Sequence, residues 1–193
     1  TVAIHAVEQA DLKAGEKIAI IGMGTIGLLI AQVAQNYGVS KVFGSDQRKL
    51  PVDTAEELGV ERPVNIEKED FSKVVMGETD SEGVDKVFDT VGTPQSIKEG
   101  LSLLKMAGTQ VQLAGPLEDI SFPYTYLSSE KSIVSSANYN YYDVDTAIKL
   151  VGERKVLTEP LITHRFDLED AKEAFEVALN KKENKAMKVM VIP

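Results

Sequence analysis

Lys17-Ile18-Ala19-Ile20-Ile21-Gly22-Met23-Gly24-Thr25-Ile26-Gly27-Leu28-Leu29-Ile30-Ala31 is the stretch that decides the fold. Its first five residues form a β-rich run that ends at glycine. Residues 26–37 read as a mostly buried helix stopped by Gly38. Between them stands G-x-G-x-x-G. Gly22 permits a tight turn, Gly24 leaves room for a pyrophosphate against the backbone, and Gly27 lets the helix pack close to the strand. The free N–H groups at the helix start, near Thr25 and Ile26, then face the phosphates. Glycine-rich turns are common. A strand before this one and a helix after it supply the context that makes it a dinucleotide turn.

The next strand, 42–45, is followed by Asp46, 24 residues after Gly22. A carboxylate there accepts both hydroxyls of an adenosine ribose and repels a 2′-phosphate, which favours NAD over NADP. Arg48 pulls the other way, since an Arg just past the acid neutralises a 2′-phosphate. Its alternative roles are a solvated helix-start residue or a platform for adenine.

Further along, strand and helix keep alternating. The pattern predicts helices over 52–58, 71–76 and 94–104, and strands over 63–66, 84–89, 109–113 and 132–135. A helix carries Val144, Ala147, Ile148 and Val151 with Asp143 as its N-cap. A strand over 161–166, a helix after Asp167 and a strand over 188–192 close the chain. Such alternation gives an α/β Rossmann fold, a doubly wound parallel six-stranded sheet with helices on both faces, plus a C-terminal strand–helix–strand. Ligands bind such sheets at the carboxyl ends of the strands. There stand Thr90-Val91-Gly92 after the fourth strand and Ala114-Gly115-Pro116 after the fifth. Small residues at both turns let a ribose and nicotinamide lie against backbone, although each turn alone is explained by turn chemistry.

Composition narrows the partners. Of 193 residues, 21 are Lys or Arg and 30 are Asp or Glu, a net charge of −9. No basic stripe stands out, so nucleic acid is not an expected partner. No apolar run reaches the roughly 18 residues of a membrane span. Cysteine is absent and there are two histidines, His5 and His164, far apart in sequence. The reading is therefore no metal site in this chain, and a cytoplasmic setting. Tyr139, Tyr141 and Tyr142 read as surface or interface packing, and both histidines as structural residues. The chain opens at Thr1 inside a helical pattern of Val2, Ala3, Ala6, Val7 and Ala10, which suggests a piece of a longer protein.

Ala14-Gly15-Glu16-Lys17 leading into the glycine turn resembles the cofactor domain of zinc-type medium-chain dehydrogenases. So do Asp46, Ala55-Glu56-Glu57-Leu58-Gly59 and Val87-Phe88-Asp89-Thr90-Val91-Gly92. Pro160-Leu161-Ile162-Thr163-His164-Arg165-Phe166 and Ala174-Phe175 resemble the sorbitol and threonine dehydrogenase branch. The stretch Asn138-Tyr139-Asn140-Tyr141 lacks the Arg that polyol enzymes of the family often carry there. The resemblance implies a dinucleotide domain over 1–160, with 161–193 returning to a catalytic domain whose N-terminal part, with the zinc and the catalytic residues, is missing here. Lys188 then takes the place of a basic residue that approaches the pyrophosphate. The implied reaction is hydride transfer between a secondary alcohol or polyol and NAD, with this fragment inactive alone. Homo-oligomers through the sixth strand, at the sheet edge, are also implied. The alternatives are an NAD(H)-sensing regulatory module or a zinc-independent quinone reductase of the same superfamily; a methyltransferase fits the third glycine less well.

Overall fold

Successive residues of the central strands point to opposite faces of one sheet, and that alternation builds the molecule. The computed structural model describes residues 1–115 and 119–193. The strands are β1 (Lys17–Ile21), β2 (Lys41–Asp46), β3 (Arg62–Asn65), β4 (Val84–Asp89), β5 (Leu104–Gln112) and β6 (Ser132–Ser135). They form a parallel sheet in the order β3-β2-β1-β4-β5-β6. The order reverses between β1 and β4, which opens a crevice at their carboxyl ends.

On one face, Ile18, Ile20, Val42, Phe88 and Val111 pack against α1 (Val2–Gln9) and α2 (Thr25–Asn36). On the other, Ala19, Ile21, Phe43, Val64 and Val87 meet α4 (Phe71–Gly77) and α5 (Pro94–Leu103). Each large side chain removed from water here contributes about 1.5–3 kcal/mol. α3 (Lys49–Glu57) buries Ala55 in the first of these cores.

A second, two-stranded parallel sheet joins β7 (Ile162–Asp167) to β8 (Lys188–Ile192), with α7 (Ala171–Leu179) between them in sequence. Leu161 and Met187 anchor this unit in the core that holds α1 and α2. Its outer surface leaves Leu168, Phe175 and Leu179 exposed.

Several element bounds shift by a residue from the sequence reading, and three larger differences have a structural reason. β5 starts at Leu104, because Leu104 pairs with Val84 before the register shifts and Thr109 pairs with Lys86. Ala107, at φ +58°, lies in the extra residues of that shift. α3 starts at Lys49, so Pro51 is its third residue, where no intrahelical N–H bond is lost. α6 (Tyr141–Gly152) is capped by Asn140, not Asp143. Asn140 Oδ1 accepts from Tyr142 N at 2.8 Å and Asp143 N at 3.1 Å, and Asp143 Oδ2 accepts from Asn140 N at 2.6 Å. The apolar period begins at Val144, but the reciprocal bonds of a capping box set the helix start three residues earlier. Among the described residues, no helix is long and apolar enough to cross a membrane.

Candidate functional site

The crevice at the carboxyl ends of β1, β2 and β4 holds a cavity of about 630 Å³. Ile21 and Gly22 wall it from β1, Asp46 and Arg48 from the end of β2, and Val91, Ser96 and Glu99 from the β4–α5 side. A neighbouring cavity of about 450 Å³ shares Gln47, Arg48, Lys181 and Lys182.

The three turn glycines have different physical reasons. Gly22 has φ +91°, and a Cβ there would collide with Thr90 Oγ1 and crowd Val91. A Cβ on Gly27 would fall on the Gly22 carbonyl oxygen. Gly24 has an ordinary extended backbone, φ −67° and ψ −170°, and the nearest atom to a Cβ there is Arg48 Nη2 at 3.9 Å. The fold therefore needs glycine at 22 and 27, whereas at 24 it leaves a cradle that a side chain would fill. α2 begins at this cradle; its first intrahelical bond runs from Leu28 N to Gly24 O at 3.0 Å. The N–H groups of Thr25, Ile26 and Gly27 precede that bond, so they are available to an anion.

Asp46 is nearly buried, and its Oδ1 accepts from Arg48 N at 2.9 Å and Arg48 Nε at 3.3 Å. Arg48 Nη1 also donates to the Ala186 carbonyl at 3.3 Å. The guanidinium thus spans from Asp46 to the C-terminal unit and passes beside Gly24.

The β4–α5 turn is organised by Asp89, the last residue of β4. Fully buried, its carboxylate accepts from Val91 N at 2.9 Å, Gly92 N at 3.0 Å, Ser96 Oγ at 2.8 Å and Gln112 Nε2 at 3.1 Å. Gly92, at φ +73°, sits so close to Ala114 that a Cβ would strike its carbonyl, so the turns after β4 and β5 touch. Ala114 is half-buried and Gly115 exposed; Pro116 lies outside the described residues. Burial pushes the Glu99 carboxyl up, and the Ser72 hydroxyl, 3.3 Å away, works against that.

Thr90 Oγ1 stands 3.0 Å from Ile21 O and 2.9 Å from Gly22 O and ties this turn to the glycine turn. Thr90→Val removes that donor with little change of shape. The expected loss is about 1 kcal/mol, read as a lower urea midpoint at unchanged m-value.

The structure thus brings Gly22, Asp46, Arg48 and Val91 to one cavity, with Gly24, Thr25, Ile26 and Gly27 forming the turn at its edge. Thr90 and Gly92 hold its frame. Lys188 is not among the residues walling either cavity. It is exposed in β8, next to Met187, whose carbonyl accepts from Thr25 Oγ1 at 3.3 Å. Lys181 and Lys182 wall the cavity instead. In sequence they belong to the charged run Asn180-Lys181-Lys182-Glu183, which reads as a solvated surface. His164 is structural: its Nδ1 is 2.9 Å from Thr163 Oγ1 and its ring stacks on Phe166. Tyr139, Tyr141 and Tyr142 are exposed around the start of α6.

Comparison with known proteins gives a match to the zinc-binding dehydrogenase family over residues 25–153. A D-xylulose reductase of Saccharomyces cerevisiae is 33% identical over 184 residues, covering 91% of this chain and 51% of that protein. A sorbitol dehydrogenase of Halalkalibacterium halodurans is 28% identical, covering 98% of this chain and 55% of that protein. The chain spans about half the length of these curated relatives. Among solved structures, a putative zinc-binding dehydrogenase of Sinorhizobium meliloti bound to NADP superposes with a TM-score of 0.89 at 28% identity. That match covers all of this chain and 56% of the other.

Proposed function

The chain belongs to the zinc-binding dehydrogenase family, and on that premise we propose that it is the NAD-binding portion of an oxidoreductase acting on a secondary alcohol or polyol. One observation carries the reading: the cradle at Gly24, open at the N-terminus of α2, lies beside the Arg48 side chain that Asp46 holds. The residues present fit a dinucleotide. The N–H groups at Thr25, Ile26 and Gly27 would hold the pyrophosphate, and Asp46 Oδ2, clear of the Arg48 bonds, would accept from the adenosine ribose. Thr90, Val91, Gly92, Ala114 and Gly115 would border the nicotinamide half. When bound, the nicotinamide supplies the hydride acceptor; this chain's part is to fix its position and orientation. Asp89 serves that purpose by locking the turn on which Val91 and Gly92 sit.

On this reading the catalytic zinc lies outside the chain, and residues 161–193 pack against the rest of the enzyme. The exposed Phe175 and Leu179 support that packing. Lys188 is the proposed basic residue for the pyrophosphate, since it follows Met187, whose carbonyl accepts from Thr25 Oγ1. The β6 edge, with Ile133 partly exposed and β5 its pairing partner, is the proposed surface for a second copy in a cytoplasmic oligomer.

A cofactor with a 2′-phosphate is the competing reading, favoured by Arg48, Lys181 and Lys182 around the same cavity. Fluorescence titration with NADH and NADPH separates the two. NADH is expected to bind more tightly, and Asp46→Gly to weaken NADH and relax the preference. Equal or tighter binding of NADPH by the unaltered chain would overturn the NAD assignment.

A further inference from the structure

α1 and α6 meet through three side chains that the dinucleotide site does not use. His5 and Glu8 lie three residues apart on α1, so they share a face. Asp143, the third residue of α6, comes to that face. One ligand-type atom from each of the three lies within 4.8 Å of the others. Asp143 is fully buried. Its Oδ2 is 3.1 Å from His5 Nδ1, yet the two are not aligned as a hydrogen bond, and His5 Nδ1 has no such partner. Asp143 Oδ1 is buried and takes no hydrogen bond from a backbone or side-chain N–H or hydroxyl.

A bare buried carboxylate oxygen beside a second carboxylate calls for a cation or a shared proton. Among the described residues, the ion pair within 4.0 Å of Asp143 is with His5 alone, and Glu8 has none. Two atoms bound to one ion at about 2.1 Å, roughly 90–110° apart, stand about 3.0–3.4 Å from each other. The 3.1 Å between His5 Nδ1 and Asp143 Oδ2 has that spacing without the direction of a hydrogen bond. Glu8 is exposed, so its side chain is free to swing the remaining distance.

We propose that His5, Glu8 and Asp143 bind one divalent transition-metal ion of the zinc type, which cross-links α1 to α6. One imidazole nitrogen and two carboxylate oxygens suit such an ion better than calcium or magnesium, which prefer all-oxygen shells. Water completes the coordination on the open Glu8 side. Binding requires His5 to be neutral, with its proton on Nε2. The dication then balances the two carboxylates. This site is independent of the dinucleotide reading, and its test does not involve a cofactor.

The test is calorimetric titration of the chelator-stripped chain with Zn²⁺, with thermal unfolding followed in parallel. The expected result is saturation at one equivalent with a rise in unfolding temperature, and no comparable rise with Mg²⁺ or Ca²⁺. Glu8→Gln alters an exposed side chain and should keep the circular dichroism of the parent; it should lower Zn²⁺ affinity at least tenfold. His5→Gln should do the same. Asp143→Asn is a poor probe because it also disturbs the α6 cap. Absence of saturable binding would overturn the proposal, leaving a shared proton to stabilise the cluster. So would Zn²⁺ binding that Glu8→Gln leaves unchanged, or an equal response to Mg²⁺ or Ca²⁺.

Discussion

Gly24→Val is expected to keep the chain folded and to weaken NADH at least tenfold, about 1.4 kcal/mol. The backbone at Gly24 lies in the extended region, which valine adopts readily. The nearest neighbour to the added Cβ is the tip of Arg48, 3.9 Å away. Gly24 is the N-cap of α2, where valine is a poorer choice, so a loss of about 1 kcal/mol in stability is expected. That is a small part of the roughly 5–15 kcal/mol that holds a typical domain together. The isopropyl group would stand where the pyrophosphate meets the backbone. Far-UV circular dichroism and NADH titration read the two effects separately. A folded variant that binds NADH as well as the parent would mean that no pyrophosphate sits at this turn.

Gly27→Val, three residues on, is expected to do the opposite first: it should destabilise the fold by about 3 kcal/mol, the upper part of the usual range for overpacking. Here the added Cβ itself falls on the Gly22 carbonyl oxygen, and Ile20 blocks the space beside it at 3.2 Å. No rotamer relieves a clash made by Cβ, so α2 must move away from β1 or the turn must deform. Either response spoils the dinucleotide turn, so NADH binding falls together with stability. Urea unfolding measures the change; a midpoint equal to that of the parent would mean that α2 does not pack on the turn as described.

Most of the sheet was legible in the sequence because its signals are local. β1, β4, β6 and β8 have the bounds that their short β-rich runs predict. The start of β5 was not legible, because Leu104 joins the strand only by pairing with Val84 across a register shift. Nor was the α6 cap, since Asn140 and Asp143 are equally good caps by residue type and only their mutual bonds decide between them. At the site, Gly22, Asp46 and Arg48 could be found from spacing along the chain. Lys181 and Lys182 could not, because nothing in a solvated charge run tells which side chains will curl over a distant crevice. His5, Glu8 and Asp143 could not be grouped from the sequence for a related reason: only the packing of α1 on α6 gathers the three.

Arg48 is anchored at both ends before any ligand arrives, at Asp46 through Nε and at the Ala186 carbonyl through Nη1. A long side chain that has to be immobilised by its ligand surrenders roughly 0.5–1.5 kcal/mol of affinity to rotamer entropy. In this chain that freedom is given up during folding. On the proposed reading, Arg48 would be pre-set scaffolding for the pyrophosphate beside Gly24. Removing the Asp46 anchor should leave the same guanidinium charge in place and yet shorten the lifetime of the NADH complex.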